Sequence, residues 1–161
     1  MTTEFQLRSL SGALGAEIHG LDLSRPLSGT TKDALLEAFH RYGVLCIRDQ
    51  KLTHDSHIAL AKLFGEPDVH PIAKGMEAHP EIIEVRKPKG EQAFFGTDWH
   101  TDNSFFERPS SITILYGVEI PPVGGDTLYA SMERAWDLLS EPLKQFLLPL
   151  RAVHSAREAY D

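Results

Sequence analysis

Seven consecutive residues, Trp99-His100-Thr101-Asp102-Asn103-Ser104-Phe105, hold the side chains best suited to chemistry. His100 and Asp102 are two apart, and in an extended strand residues i and i+2 leave the same face. An imidazole and a carboxylate directed to one side are the beginning of a metal site. The set has no thiolate, which suits a divalent ion such as iron, manganese or zinc. One more imidazole would complete the two-His-one-carboxylate triad of non-haem Fe(II) oxygenases. A His and an Asp at a strand end also occur commonly as a surface pair, so the motif alone leaves both readings open.

Other histidines compete. His54 and His57 stand three apart on the first turn of an expected helix and can share a metal, but polar residues facing water at a helix start account for them equally well. His70, before Pro71 in a loop, acquires a role only with a partner from elsewhere in the chain.

The elements that would position these residues follow from periodicity. Phe5 to Leu10 alternates as a first strand, and Ala16 to Leu23 reads as a second, after a turn at Ser11 to Gly15. Thr30 or Thr31 can cap a helix whose apolar stripe is Leu35, Ala38, Phe39 and Tyr42, with Gly43 as its terminator. Val44 to Ile47 is a buried strand. Thr53 starts a second helix with Leu60, Leu63 and Phe64 inside, and Gly65 stops it. Ile82 to Arg86 is a strand. Ile112, Ile114, Tyr116 and Val118 alternate with Thr113, Leu115, Gly117 and Glu119 as a half-buried strand. Pro121 to Asp126 turns the chain into a strand at Thr127-Leu128-Tyr129. Two helices follow, capped by Ser131 and Ser140. Short strands with Gly/Pro turns indicate a sandwich or jelly roll, and the interleaved helices make the class α+β.

At 161 residues the chain fits a single domain with a real core. Apolar residues are 42% of it, which excludes wholesale disorder. Against 16 Lys and Arg stand 23 Asp and Glu, a net charge of −7, which argues against a nucleic-acid-binding surface. Cys46 is the only cysteine, so no intramolecular disulfide can form. No apolar run spans a bilayer and Met1 to Leu10 lacks the pattern of a signal peptide, so no membrane partner and a cytoplasmic location are expected.

Taken together, several stretches resemble the taurine dioxygenase (TauD/TfdA) family of Fe(II)- and 2-oxoglutarate-dependent dioxygenases. They are Gly12-Ala13-Leu14-Gly15-Ala16-Glu17-Ile18 with Gly20-Leu21-Asp22-Leu23, Arg48-Asp49-Gln50, Leu63-Phe64-Gly65-Glu66 and His70-Pro71. Trp99-His100-Thr101-Asp102 with Ser104-Phe105 is the centre, followed by Pro121-Pro122, Gly124-Gly125-Asp126-Thr127 and Leu150-Arg151-Ala152 with His154. The resemblance runs the length of the chain. It implies a double-stranded β-helix, a jelly roll with flanking helices. It implies that His100 and Asp102 are the catalytic iron ligands, that Thr127 holds the 2-oxoglutarate carboxylate, and that His70 and Asn103 line the substrate pocket. The implied reaction consumes O2 and 2-oxoglutarate, releases succinate and CO2, and hydroxylates a small organic molecule: a sulfonate, a sulfate ester or a carboxylate.

The resemblance also implies a distal third iron ligand, a His, and a nearby Arg for 2-oxoglutarate. Neither has a counterpart within the 161 residues; His154, the last histidine, matches a family position with a structural role. The sequence is therefore expected to be one TauD/TfdA-type domain, 1–161, cut before those residues. As such a fragment it is expected to have uncovered apolar faces and little activity of its own. Ala73 and Gly96 stand where taurine dioxygenase has a Tyr and an Asn, so taurine is not the expected substrate. Phe94, Phe95, Phe105 and Phe106 fit either a more apolar substrate or the core. Two other classes remain in view: an inactive jelly-roll remnant with a residual metal pair, held together as a homo-oligomer, and a zinc or manganese hydrolase with a water nucleophile.

Overall fold

The computed structural model describes residues 4–88, 90 and 98–157. Phe94, Phe95 and Gly96 lie outside the described residues, as does the end of the final expected segment.

The N-terminal strands form because their turn is self-contained. Ser11 Oγ bonds the Leu14 carbonyl at 2.6 Å and accepts the Leu14 N–H, while Gly15, at φ 89°, lets the Leu10 N–H reach its own carbonyl at 2.9 Å. Strand β1 (Gln6–Ser9) thereby pairs antiparallel with β2 (Ala16–His19), Leu7 opposite Ile18. Strand β3 (Leu45–Ile47) joins the other edge of β2 in parallel, Ala16 opposite Leu45. A parallel pair needs a long crossover. Helix α1 (Gly29–Tyr42) supplies it.

Ser28, not Thr30 or Thr31, caps α1: its hydroxyl accepts the Thr31 N–H. Thr31 is buried instead, and donates to the Glu4 carboxylate. Gly43 ends the helix as its sequence position predicts, left-handed at φ 69° and with its N–H on the Phe39 carbonyl. Ile18 and Leu35 are the largest fully buried side chains, and Phe5, Leu21, Leu23 and Leu60 complete the core.

Helix α2 (His54–Lys62) covers that core with Leu60, and starts with a reciprocal capping box between Thr53 and Ser56. Between β3 and α2, Gln50 fastens the chain. Its Oε1 accepts the Leu23 N–H at 2.8 Å, and its Nε2 donates to the carbonyls of Leu21 and Arg48. Tyr116 reaches the same junction, accepting the Leu52 N–H and donating to the Gln50 carbonyl.

Helices α3 (Met132–Asp137) and α4 (Glu141–Leu147) begin after Ser131 and Ser140, as expected, but bury none of their residues. Among the described residues, the stretches expected as strands at 82–86, 112–118 and 127–129 carry no ladder, and neither does the stretch holding His100 and Asp102. Alternation selects the faces of a strand, but a strand also needs a neighbouring strand for its N–H and C=O groups, and among the described residues these stretches pair with none.

The accessible surface is 13,442 Å². A compact monomer of this mass exposes about 8,000 Å². The excess is concentrated after residue 114, where Leu115, Val118, Ile120, Val123, Leu128, Leu138 and Val153 stand largely exposed. No described helix is long and apolar enough to cross a membrane.

Candidate metal centre

His100 and Asp102 come together on a turn rather than a strand. The residue after them, Asn103, is left-handed at φ 54°, and its carbonyl accepts the Phe106 N–H at 3.0 Å. Asn tolerates this conformation better than other non-glycine residues. Ahead of this reversal His100 Nε2 lies 3.1 Å from Asp102 Oδ1, with both side chains about half exposed.

Each member of the pair is oriented from behind. His100 Nδ1 lies 2.7 Å from the Asp98 carbonyl and donates to it, which leaves the Nε2 lone pair for a metal. Thr113 donates to Asp102 Oδ2 at 2.8 Å, which turns Oδ1 toward the imidazole. Two ligands at right angles, each about 2.1 Å from an ion, are about 3.0 Å apart. At the observed 3.1 Å the two atoms are close enough for one ion to touch both, and equally for a direct imidazole–carboxylate contact. Among the described residues no third His, Cys, Asp or Glu closes a three-ligand group.

His70 stands beside this pair through Asn103. Its Nδ1 accepts the N–H groups of Ile72 at 3.2 Å and Ala73 at 2.8 Å. A nitrogen facing two donors carries no proton, so Nε2 does, and it donates to Asn103 Oδ1 at 3.0 Å. Asn103 Nδ2 passes on to Ser110 Oγ at 3.2 Å. The Phe106 ring lies 5.7 Å from the His70 ring and 4.5 Å from that of Phe105, edge to face in the second pair, so the aromatic rings pack together on this side of the turn.

Thr127 is exposed, and among the described residues it makes no side-chain hydrogen bond and no contact with the pair. Two residues on, the Tyr129 phenol is pushed up, by burial first and then by the charge of Asp102. His154 is the strut expected of it: Nδ1 bonds Ser104 Oγ at 2.9 Å, across an open cleft of about 390 Å³ that Val153, Ser155 and Arg157 also line. His54 and His57 do not share a metal. The His54 ring packs edge-on against His79, whereas His57 packs against Tyr116.

Asp98, Thr113 and Ser110 escape a reading of motifs, because each acts through its neighbour. Thr113 nevertheless had a signal. It alternates with Ile112 and Ile114, and Ile114 packs on the core, so Thr113 belongs on the opposite side, toward Asp102.

A sequence model of the family described as taurine catabolism dioxygenase TauD, TfdA matches residues 6–161. The chain is 39% identical over 160 residues to an alkylsulfatase from Acinetobacter baylyi, covering 99% of this chain and 50% of that protein. It is 35% identical to an alpha-ketoglutarate-dependent sulfate ester dioxygenase from Pseudomonas putida, with 98% of this chain and 52% of the relative aligned. The crystal structure of a taurine dioxygenase from Burkholderia xenovorans superposes with a TM-score of 0.79 at 38% identity, over 89% of this chain and 50% of that one. The chain thus spans about half the length of the relatives it matches.

Proposed function

The chain belongs to the taurine catabolism dioxygenase TauD, TfdA family, and on that premise we propose that the polypeptide carrying it is an Fe(II)- and 2-oxoglutarate-dependent dioxygenase acting on an organic sulfate ester or sulfonate. The observation that carries the reading is the His100–Asp102 pair. Its two donor atoms lie 3.1 Å apart, each ligand fixed from behind by Asp98 or Thr113. Relatives named for sulfate esters favour that substrate class over taurine, and Ala73, in place of a tyrosine, agrees.

In this reading His100 Nε2 and Asp102 Oδ1 hold the iron, and Thr127 offers its hydroxyl to a carboxylate of 2-oxoglutarate. The third iron ligand and an arginine for that carboxylate come from the length of the relatives that this chain does not span. So does the second half of a jelly roll, which would cover the apolar residues exposed after residue 114. When bound, iron and 2-oxoglutarate supply, with O2, an oxidant able to take hydrogen from a C–H bond. The protein's share is to orient the ligands and the substrate and to keep water out. Phe105 and Phe106 serve the last task.

Hydroxylation at the carbon that carries the sulfate oxygen would explain how one chemistry spans both relatives' names. The product is a hemiacetal ester. It collapses by breaking the C–O bond to sulfate, giving an aldehyde and hydrogen sulfate.

The test uses the full-length protein. Fe(II) with 2-oxoglutarate under anaerobic conditions is expected to give a charge-transfer absorption that Asp102→Ala removes. Admitting O2 with a linear alkyl sulfate should give succinate, sulfate and the aldehyde together. Survival of the absorption in Asp102→Ala would remove the ligand assignment. Sulfate release without succinate would replace the oxygenase by a hydrolase.

A further inference from the structure

We infer that Tyr116 is a positioning residue for the proposed iron carboxylate, fixing the place of Asp102 through Thr113 from an anchor in the N-terminal half. This role rests on the reading of Asp102 as an iron ligand and deepens it by naming what holds the residue behind that ligand.

A hydrogen bond orients a carboxylate only as well as its own donor is held. Thr113, the donor to Asp102 Oδ2, is exposed, and among the described residues its stretch has no strand neighbour. Among the described residues no backbone–backbone hydrogen bond involves 112–116. The stretch is therefore located by its side chains. Its exposure alternates: Ile112, Ile114 and Tyr116 are half-buried, whereas Thr113 and Leu115 are exposed. Such alternation puts Ile114 and Tyr116 on one face and Thr113 on the other.

Ile114 packs on the core, a contact without direction. Tyr116 supplies the direction. Its hydroxyl accepts the Leu52 N–H at 3.2 Å and donates to the Gln50 carbonyl at 3.3 Å, which engages it both as acceptor and as donor. Both partners are backbone groups, in the link between β3 and α2 that the Gln50 side chain ties to Leu21 and Leu23. The Tyr116 ring lies edge-on to that of His57 in α2, with 6.1 Å between centroids, and His57 also bonds the Ile114 backbone. One face of the stretch is thus pinned, and the other presents a hydroxyl to Asp102. The other holds near this ligand, His70 on Asn103 and His154 on Ser104, reach the neighbours of Asp102 and not its carboxylate.

The test is an anaerobic Co(II) titration of the full-length protein as wild type, Tyr116→Phe, Thr113→Val and the double variant. Tyr116→Phe removes one oxygen and keeps the ring for His57. It is expected to weaken Co(II) binding about three- to tenfold, less than loss of Thr113 itself, and to shift the visible spectrum of the bound ion. In the double variant Tyr116→Phe should add less than about 1.5-fold to the loss from Thr113→Val, because the path it works through is already cut. Ser28→Ala is the structural control. It removes the α1 cap, and should lower the urea midpoint of the metal-free protein yet leave Co(II) affinity and spectrum as in wild type. A Tyr116→Phe protein that behaves like Ser28→Ala, or whose loss multiplies with that of Thr113→Val, overturns the role and leaves the iron site standing. A wild-type protein that binds no Co(II) overturns the iron site, and the role with it.

Discussion

Thr113 and Asp102 are joined by a hydrogen bond of 2.8 Å, from the threonine hydroxyl to Oδ2. The bond separates the two oxygens of one carboxylate, Oδ2 held by Thr113 and Oδ1 facing the His100 imidazole. Thr113→Val keeps the shape and removes the donor. Loss of such an outer partner typically weakens metal binding about 10- to 100-fold. An anaerobic Fe(II) or Co(II) titration of the full-length protein measures it, and equal affinity in wild type and variant would exclude Thr113 from the site.

Thr127→Ala tests the co-substrate end. The hydroxyl has no side-chain partner among the described residues, so it is available to a carboxylate. Its loss should weaken 2-oxoglutarate binding by about 1–3 kcal/mol, the scale of a hydrogen bond to a charged group. Titration of the charge-transfer band with 2-oxoglutarate reads this directly, and an unshifted curve removes Thr127 from the assignment.

Gln50 should matter to stability rather than to turnover. It satisfies the Leu23 N–H and two carbonyls at the meeting point of β3, the 21–23 segment and α2. Gln50→Leu leaves that N–H without its acceptor, at a cost of about 1–3 kcal/mol. Urea unfolding is the measurement, and a loss below about 0.5 kcal/mol would mean that water replaces the side chain freely.

His57 gives the fold a pH dependence. Burial holds its imidazole below the ordinary 6.5, and the nearby His54 adds to the effect, while a hydrogen bond to the Ile114 backbone opposes it. Between the lowered folded value and 6.5 the unfolded chain binds more protons than the folded one, so stability rises with pH across that window. The protein should be less stable near about pH 5 than near about pH 7.5, and His57→Gln should narrow the difference. Parallel pH profiles for the two proteins would assign the dependence to other groups.

The first third of the chain was legible because its signals are local. The stripe of α1, the terminator Gly43 and the cap Thr53 all act within a few residues of themselves. The cap of α1 was misread for a reason outside that range. Ser28, Thr30 and Thr31 are chemically alike, and what separates them is the bond from Thr31 to Glu4, 27 residues away. The alternation of 112–118 identified which residues face the core but could not supply a ladder partner. At the metal pair the spacing was informative and its cause was not. His100 and Asp102 meet on an irregular segment, their side chains held by the Asp98 carbonyl and Thr113, and not because a strand aligns them.

The placement of the core also has a consequence in time. Among the described residues the buried apolar side chains, from Phe5 to Leu60, precede His100 and Asp102 by some distance in the chain. During synthesis at about 5–20 residues per second, the 40 residues between Leu60 and His100 take about 2–8 s to appear. The β2–α1–β3 unit, which ends at Ile47, can therefore begin to pack before the chain beyond His100 is made. Nascent chains long enough to hold residues 5–65 outside the exit tunnel should already resist proteolysis within residues 5–60. The segment that holds His100 and Asp102 is then added to a platform already begun, which Ile114 and Tyr116 complete.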